Sequence, residues 1–552
     1  MRHRDPAIES TVVLALAVIG SVVLLLALSS DLTFYQDTWA FLMHRGEFSA
    51  DALLQPHNEH VVVIPVAIEQ LLVNVFGMTS ALPEYVLMTA VLATTAVLLF
   101  VYVRRRLGPW PATMAAALLL FLGPAWEVLL WPFEIGFAGS IMVGIGALLA
   151  LEREDRLGDR VACLLLAIAV GFSNLGLTFV VAAAVDVLQR RRTRGLGRAY
   201  VVAVPLLLFA AWYAGWGHTA ESQVTLRNVL TSPKYLLEGL GSSLETMLGL
   251  SRFSVAGIEE PGWGWLLLVA AVALIVVGWL RRPGFSPRLW PVAAATATFW
   301  LLTAFNYTPG REASTSRYAY AGAVFLVLTA AELLRGVRFG RRSLWVGRAI
   351  VLAAVASNLV SLVDGRDGLE EQSVLARADT GAIDIARRTV DPSFTLIPPI
   401  AGTPSLIDVN AAEYLPAVSE HGSPGYSPAE LEDAPSAGRR QADIVLAQAL
   451  PLRTDTYLGS YNPDGAGENC VVVGSGGGGG ADIPISPGVT RIELAPGPHA
   501  DFSLRRFAVG EYPVSTEGAP GNSMTLLRIP RDGASQPWHL KVDARQRALV
   551  CR

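Results

Sequence analysis

Long apolar runs separated by short, Arg-rich connectors fill the first 360 or so residues, and the pattern changes after residue 363. Residues 11–30 are almost wholly apolar behind Arg2 and Arg4. Further runs cover about 84–103, 111–124, 133–151, 161–173, 175–188, 199–216, 264–280, 289–305, 318–334 and 344–362. Several approach the roughly 20 residues that a helix needs to cross a bilayer, which predicts about eleven spans. The first run has the look of a signal peptide, but the many later spans favour a retained first helix. The two runs flanking Ser173-Asn174 are short enough to form a re-entrant pair. The run 60–77 is apolar yet holds Glu69, Gln70 and Asn74, and reads as an interfacial or partly embedded helix.

Beyond 363 the period shortens. Residues 366–390 predict an amphipathic helix, and about 395–465 are Pro/Gly-rich and mixed. Residues 468–552 alternate like short strands (CVVV, TRIEL, FSLRRFAV, MTLLRI, WHLKV, RALVC), which predicts a small antiparallel sandwich. The glycine run 474–480 has neither the following helix nor the Lys-Ser/Thr of a phosphate loop, so it reads as a flexible hairpin connection. The expected organisation is a polytopic α-helical membrane domain, 1–363, with a long first outer loop, 31–83. An extracytoplasmic α+β domain, 364–552, follows: helix and irregular chain over 364–467, and a β-sandwich over 468–552.

Composition agrees with this class: 52% of the 552 residues are hydrophobic and 16% charged, with a mean hydropathy of +0.43. There is no basic domain, so nucleic acid is not expected as a partner. With the N-terminus placed in the cytoplasm, roughly 21 Arg fall in inner connectors and about 6 Arg or Lys in outer loops, a strong positive-inside bias. The Arg clusters then act as topology signals, and the tail lies outside. Cys163 reads as a packing residue, while Cys470 and Cys551 could pair if the tail is extracytoplasmic.

The outer segments carry the candidate chemistry. Nucleotide motifs, a nucleophile elbow and HExxH are all missing from the sequence. An activated donor on the outer side would be lipid-linked. Sugar transfer from a polyprenyl phosphate needs no general acid, because the leaving group is already a phosphate anion. It needs a carboxylate to take the acceptor's proton and a cation facing the departing phosphate. Asp37, in YQDTW just past the first run, suits the base; a helix cap is the plainer role. In QPHNEH, Glu59 suits a second acid, and His57 and His60 suit substrate contact; a polar cap on the following helix is the alternative. The His-x-x-His spacing is weak as a metal signature, so no metal ligands are assigned, and a divalent cation stays open as a cofactor. Glu134 opens a span from outside, where a carboxylate is costly unless paired or functional. Arg311 and Arg317-Tyr318 lie in the last outer loop against the charge bias, and suit a phosphate clamp. Lys234 is a second cation.

The layout resembles the class C, multi-spanning, polyprenyl-phosphate-sugar-dependent glycosyltransferases, in particular actinobacterial cell-envelope members. Asp37 matches the acidic residue of their first outer loop, and Arg317-Tyr318 matches an Arg-Tyr pair opening a late span. Asp37 is followed by Thr38 where many members carry a second acid, so that acid would be Glu59 or Glu134. The resemblance implies a hexosyl- or pentosyltransferase of the bacterial plasma membrane. It would move a sugar from a polyprenyl-phosphate donor to a cell-envelope glycan or lipid acceptor, in contact with membrane lipids. Its rivals are a transporter or flippase of a lipid-linked saccharide and a non-catalytic envelope scaffold.

Overall fold

A computed structural model describes residues 6–46, 48–254, 257–259, 262–281, 284–395, 409–459, 461–462, 469–474 and 481–551. By contacts the chain divides into two units. One comprises residues 1–31, 47–72 and 82–369; the other comprises 32–46, 73–81 and 370–552. Two pieces of the expected first outer loop therefore cluster with the C-terminal part.

The first unit is helical. By length and composition six described helical segments could cross a membrane: Ala7–Leu28, Leu82–Leu107, Pro132–Leu151, Leu196–Gly215, Trp263–Leu280 and Arg341–Ala386. A pair bent by 47°, Pro109–Leu120 and Gly123–Leu130, would make a seventh, and Val63–Phe76, Gly176–Gln189 and Leu289–Phe305 are shorter apolar helices. The expected eleven spans are met by this criterion for six or seven. The runs flanking Ser173-Asn174 form separate helices, Arg156–Phe172 and Gly176–Gln189. The expected break between the last span and the amphipathic helix is absent: Arg341–Ala386 is one helix of 46 residues. No proline interrupts it, so the backbone ladder runs on although the side chains turn polar.

Ion pairs gather three helix C-termini at one end of this unit. Arg106, ending Leu82–Leu107, pairs with Glu152, which caps Ile135–Leu151, and with Glu332 at 2.5 Å in the last turn of Ser316–Leu333. Arg198 binds Asp159 at 2.8 Å and Asp186 at 3.2 Å. A cation near a helix C-terminus is favoured by the macrodipole, and these carboxylates neutralise it where it is buried. The connector arginines thus have structural partners besides any topological role.

The second unit combines helices and sheets. Asp37–His44 packs Trp39 (fully buried) against Tyr414, with ring centroids 6.4 Å apart. Three helices follow, Ala411–His421, Pro428–Asp433 and Ser436–Ala449, the second opened by a Ser427/Glu430 capping box. All six strand motifs form. A five-stranded antiparallel sheet takes the order Arg453–Leu458, Ser523–Ile529, Gly488–Leu494, Ala548–Cys551, Cys470–Val473. A four-stranded one runs Ala481–Ile485, Trp538–Asp543, Ala500–Arg505, Val514–Ala519. The β region therefore starts at Arg453, ahead of the expected 468; RTDTYL is a polar edge strand that lacks the apolar alternation of its neighbours. Cys470 and Cys551 sit opposite each other in the ladder and are disulfide-bonded. Residues 475–480 of the run expected as a hairpin connection lie outside the described residues.

Candidate functional site

A polar cluster forms in the helical unit from segments far apart in sequence. The tight turn 57–60 comes first. His57 and His60 exchange backbone hydrogen bonds of 3.2 and 2.9 Å, and Asn58 takes φ 50° to close the turn. Asn174 holds it from the neighbouring helix pair. Its Nδ2 donates to Glu59 O at 2.6 Å and its Oδ1 accepts from Val61 N at 3.1 Å. The clamp gives the conspicuous Ser173-Asn174 break a role: a polar residue there fixes the turn that presents Glu59.

Glu59 Oε1 accepts from Arg311 Nη1 at 2.6 Å and lies 3.6 Å from His60 Nε2. Burial holds the His60 imidazole below its ordinary value; Glu59 opposes this, while Arg311, His57 and Arg317 act with burial. The ring edges meet Phe133 and Phe137: His57 to Phe133 is 5.3 Å between centroids and His60 to Phe137 is 5.8 Å.

Arg317 stands in the first turn of Ser316–Leu333, where the macrodipole disfavours a cation. Glu127 offsets this. Its Oε2 accepts from Arg317 N at 2.8 Å and from Nε at 3.3 Å, while Glu127 N donates to Ser316 Oγ at 3.1 Å. One carboxylate thus caps the helix and pairs the guanidinium, which also lies 6.0 Å over the Trp131 ring. Glu134, only 5% exposed, is the N-cap residue of Ile135–Leu151. It acts electrostatically on both Arg317 and Tyr318, as Glu59 and Arg311 do on Tyr318.

Glu59, His57, His60, Glu134, Arg311, Arg317 and Tyr318 are thereby brought together. Glu127 and Asn174 join them unforeseen. Glu127 is legible as an acid inside an otherwise apolar and aromatic stretch, which is costly without a partner. Lys234 lines an adjoining cavity and pairs with Glu238 at 3.2 Å. Asp37 belongs to the other unit, where it opens Asp37–His44 after Gln36 at φ 43°. Among the described residues no group of three or more His, Cys, Asp or Glu side chains gathers as a metal site.

The cluster and the Arg106 network occupy opposite ends of the same two helices. Arg317 and Glu134 stand at the N-terminal ends of Ser316–Leu333 and Ile135–Leu151, and Glu332 and Glu152 at their C-terminal ends. Eighteen residues at about 1.5 Å each separate the ends by about 27 Å, close to the thickness of a bilayer core.

No family model matches the chain. Over 170 residues it is 31% identical to a probable conjugal transfer protein TraB of Sinorhizobium fredii (strain NBRC 101917 / NGR234), with 26% of this chain and 42% of that protein aligned. The chain thus spans less than half the length of that curated relative. Among solved structures it is similar to ArnT from Cupriavidus metallidurans in the apo state, with 13% identity and a TM-score of 0.43 over 74% of this chain and 85% of that one. It is similar also to ArnT bound to undecaprenyl phosphate, with 12% identity and a TM-score of 0.42 over 75% and 89%. A likeness of that size carries no argument about reaction or ligand.

Proposed function

We propose that the protein is a membrane glycosyltransferase that moves a sugar from a polyprenyl-phosphate donor to an extracytoplasmic glycan or lipid. The observation that carries this reading is the meeting of two guanidiniums, Arg311 and Arg317, with Glu59, His60 and Tyr318 at one end of the helical unit. In this mechanism the acceptor hydroxyl attacks the anomeric carbon as the bond from that carbon to the phosphate oxygen breaks. Asp37 takes the hydroxyl proton, a role resting on its place just after the first span. Arg317 and Arg311 meet the charge left on the phosphate, exchanging part of their contact with Glu127 and Glu59 for it. Glu59 and His57 orient the acceptor. The N-terminus and the Arg106 end face the cytoplasm, which agrees with the positive-inside bias and with the separation of the two polar ends.

The test is release of polyprenyl phosphate from a panel of polyprenyl-phosphate sugars by purified protein in lipid, with and without envelope extract as acceptor source. Release by the wild type, with at least a hundredfold loss (about 2.7 kcal/mol) in Asp37→Asn and Arg317→Ala, is expected. Movement of label across the bilayer with no release would replace the enzyme by a flippase.

A further inference from the structure

Beside the Arg311 loop lies a cavity of about 250 Å³ whose chemistry differs from that of the arginine cluster. One wall is the helix Leu226–Met247, which presents Lys234 and Glu238 one turn apart and Glu245 two turns further on. Another is the loop carrying Tyr307 and Glu312, and Trp265 closes it from the first turn of Trp263–Arg281. The walls are fixed by buried polar ties. Asn228 Nδ2 donates to the carbonyls of Phe305 and Tyr307 at 3.1 and 3.0 Å, and Tyr235 Oη donates to Arg311 O at 2.8 Å. Gly241 and Gly264 bring two backbones so close that a Cβ on either would meet the other at 3.0 Å.

Charge decides what can enter. Three carboxylates, Glu238, Glu245 and Glu312, face two cations, Arg227 and Lys234, and Lys234 is already paired with Glu238. A phosphate would meet a net negative wall. Carboxylates instead accept from hydroxyl donors, and each offers two oxygens. Trp265 and Tyr307 keep 47% and 38% of their surface exposed, and aromatic rings of this kind can pack on a sugar. The volume falls just below the roughly 300 Å³ at which small-molecule pockets begin, enough for one or two sugar rings and too little for a polyprenyl chain.

We infer that this cavity is a saccharide subsite, its acidic residues accepting from sugar hydroxyls and Trp265 or Tyr307 packing on the ring. Its assignment to the acceptor sugar rests on the transferase reading above. The hydroxyl binding itself does not.

The test uses the full chain in nanodiscs and free mono- and disaccharides (neutral hexoses and pentoses, amino sugars, uronic acids), followed by saturation-transfer NMR. At least one saccharide is expected to bind. Its affinity should fall about tenfold or more in Trp265→Ala and in Glu238→Gln, and resist competition by inorganic phosphate. Glu238 lies at the half-exposed mouth, so its variant separates lost binding from lost folding. The inference is overturned if no saccharide binds the wild type, if both variants bind as well as the wild type, or if phosphate displaces the sugar. Saccharide binding without polyprenyl phosphate release would keep the subsite and sink the transferase; release without saccharide binding would do the reverse.

Discussion

At the scale of single residues, buried polar groups set the behaviour that can be measured. His60 is held below its ordinary value chiefly by burial, so the folded protein keeps it neutral where the unfolded chain takes a proton. Its contribution to stability is therefore complete above about pH 6.5 and is lost as pH falls below that value. The thermal midpoint of the wild type should drop more between pH 7 and pH 5 than that of His60→Gln; equal slopes would show that His60 titrates normally in the fold. Asp443 makes the opposite kind of case. Its fully buried carboxylate accepts from the backbone N–H of Arg506, Phe507 and Ala508 at 2.8, 2.9 and 3.0 Å, which opposes the upward push of burial. Asp443→Ala strands three donors and should cost about 3 kcal/mol or more. Asp443→Asn, which keeps one acceptor oxygen, should fall between it and the wild type in urea unfolding followed by circular dichroism. Seven site residues named from sequence do converge, because a charged group beside an apolar run is rare enough to stand out. Asn174 did not stand out: an amide reveals nothing until its backbone partners, Glu59 and Val61, are brought alongside it.

At the scale of elements, hydropathy located the helices well and their breaks poorly. Hydropathy predicts one span over 111–124, yet Pro109–Leu120 ends and the chain restarts at Gly123. The cause lies more than 200 residues away. A Cβ at Gly123 would sit 1.6 Å from Asn358 O and 2.7 Å from Leu362 N, so the backbone of Arg341–Ala386 passes directly against the break. No local pattern contains that approach, just as none announced RTDTYL, whose strand is specified by pairing with Ser523–Ile529. Gly123→Ala must push the two backbones apart and should destabilise the helical unit by about 3 kcal/mol or more. Gly20→Ala, where a Cβ meets nothing within 4 Å, should be neutral or slightly stabilising. Thermal unfolding of both variants in nanodiscs checks the pair, and equal midpoints would remove the close approach as the reason for the break.

At the scale of the whole molecule, the cysteines report which side of the membrane each part faces. Cys470 and Cys551 are joined across the edge of the five-stranded sheet, and Cys163 is free. Such a bond persists in an oxidising compartment and not in a bacterial cytoplasm. The Arg-rich connectors independently predict a tail on the outer side. The two arguments share no residue, so agreement between them is informative. Denatured protein alkylated without reductant should take one label per chain, on Cys163, and three after reduction. On intact spheroplasts, a membrane-impermeant reductant followed by an impermeant maleimide should label Cys470 and Cys551 and leave Cys163 untouched. Labelling of the pair only after lysis would put the tail inside. The acceptor would then have to be cytoplasmic, where nucleotide-linked donors are at hand and the case for a polyprenyl-phosphate donor loses its premise.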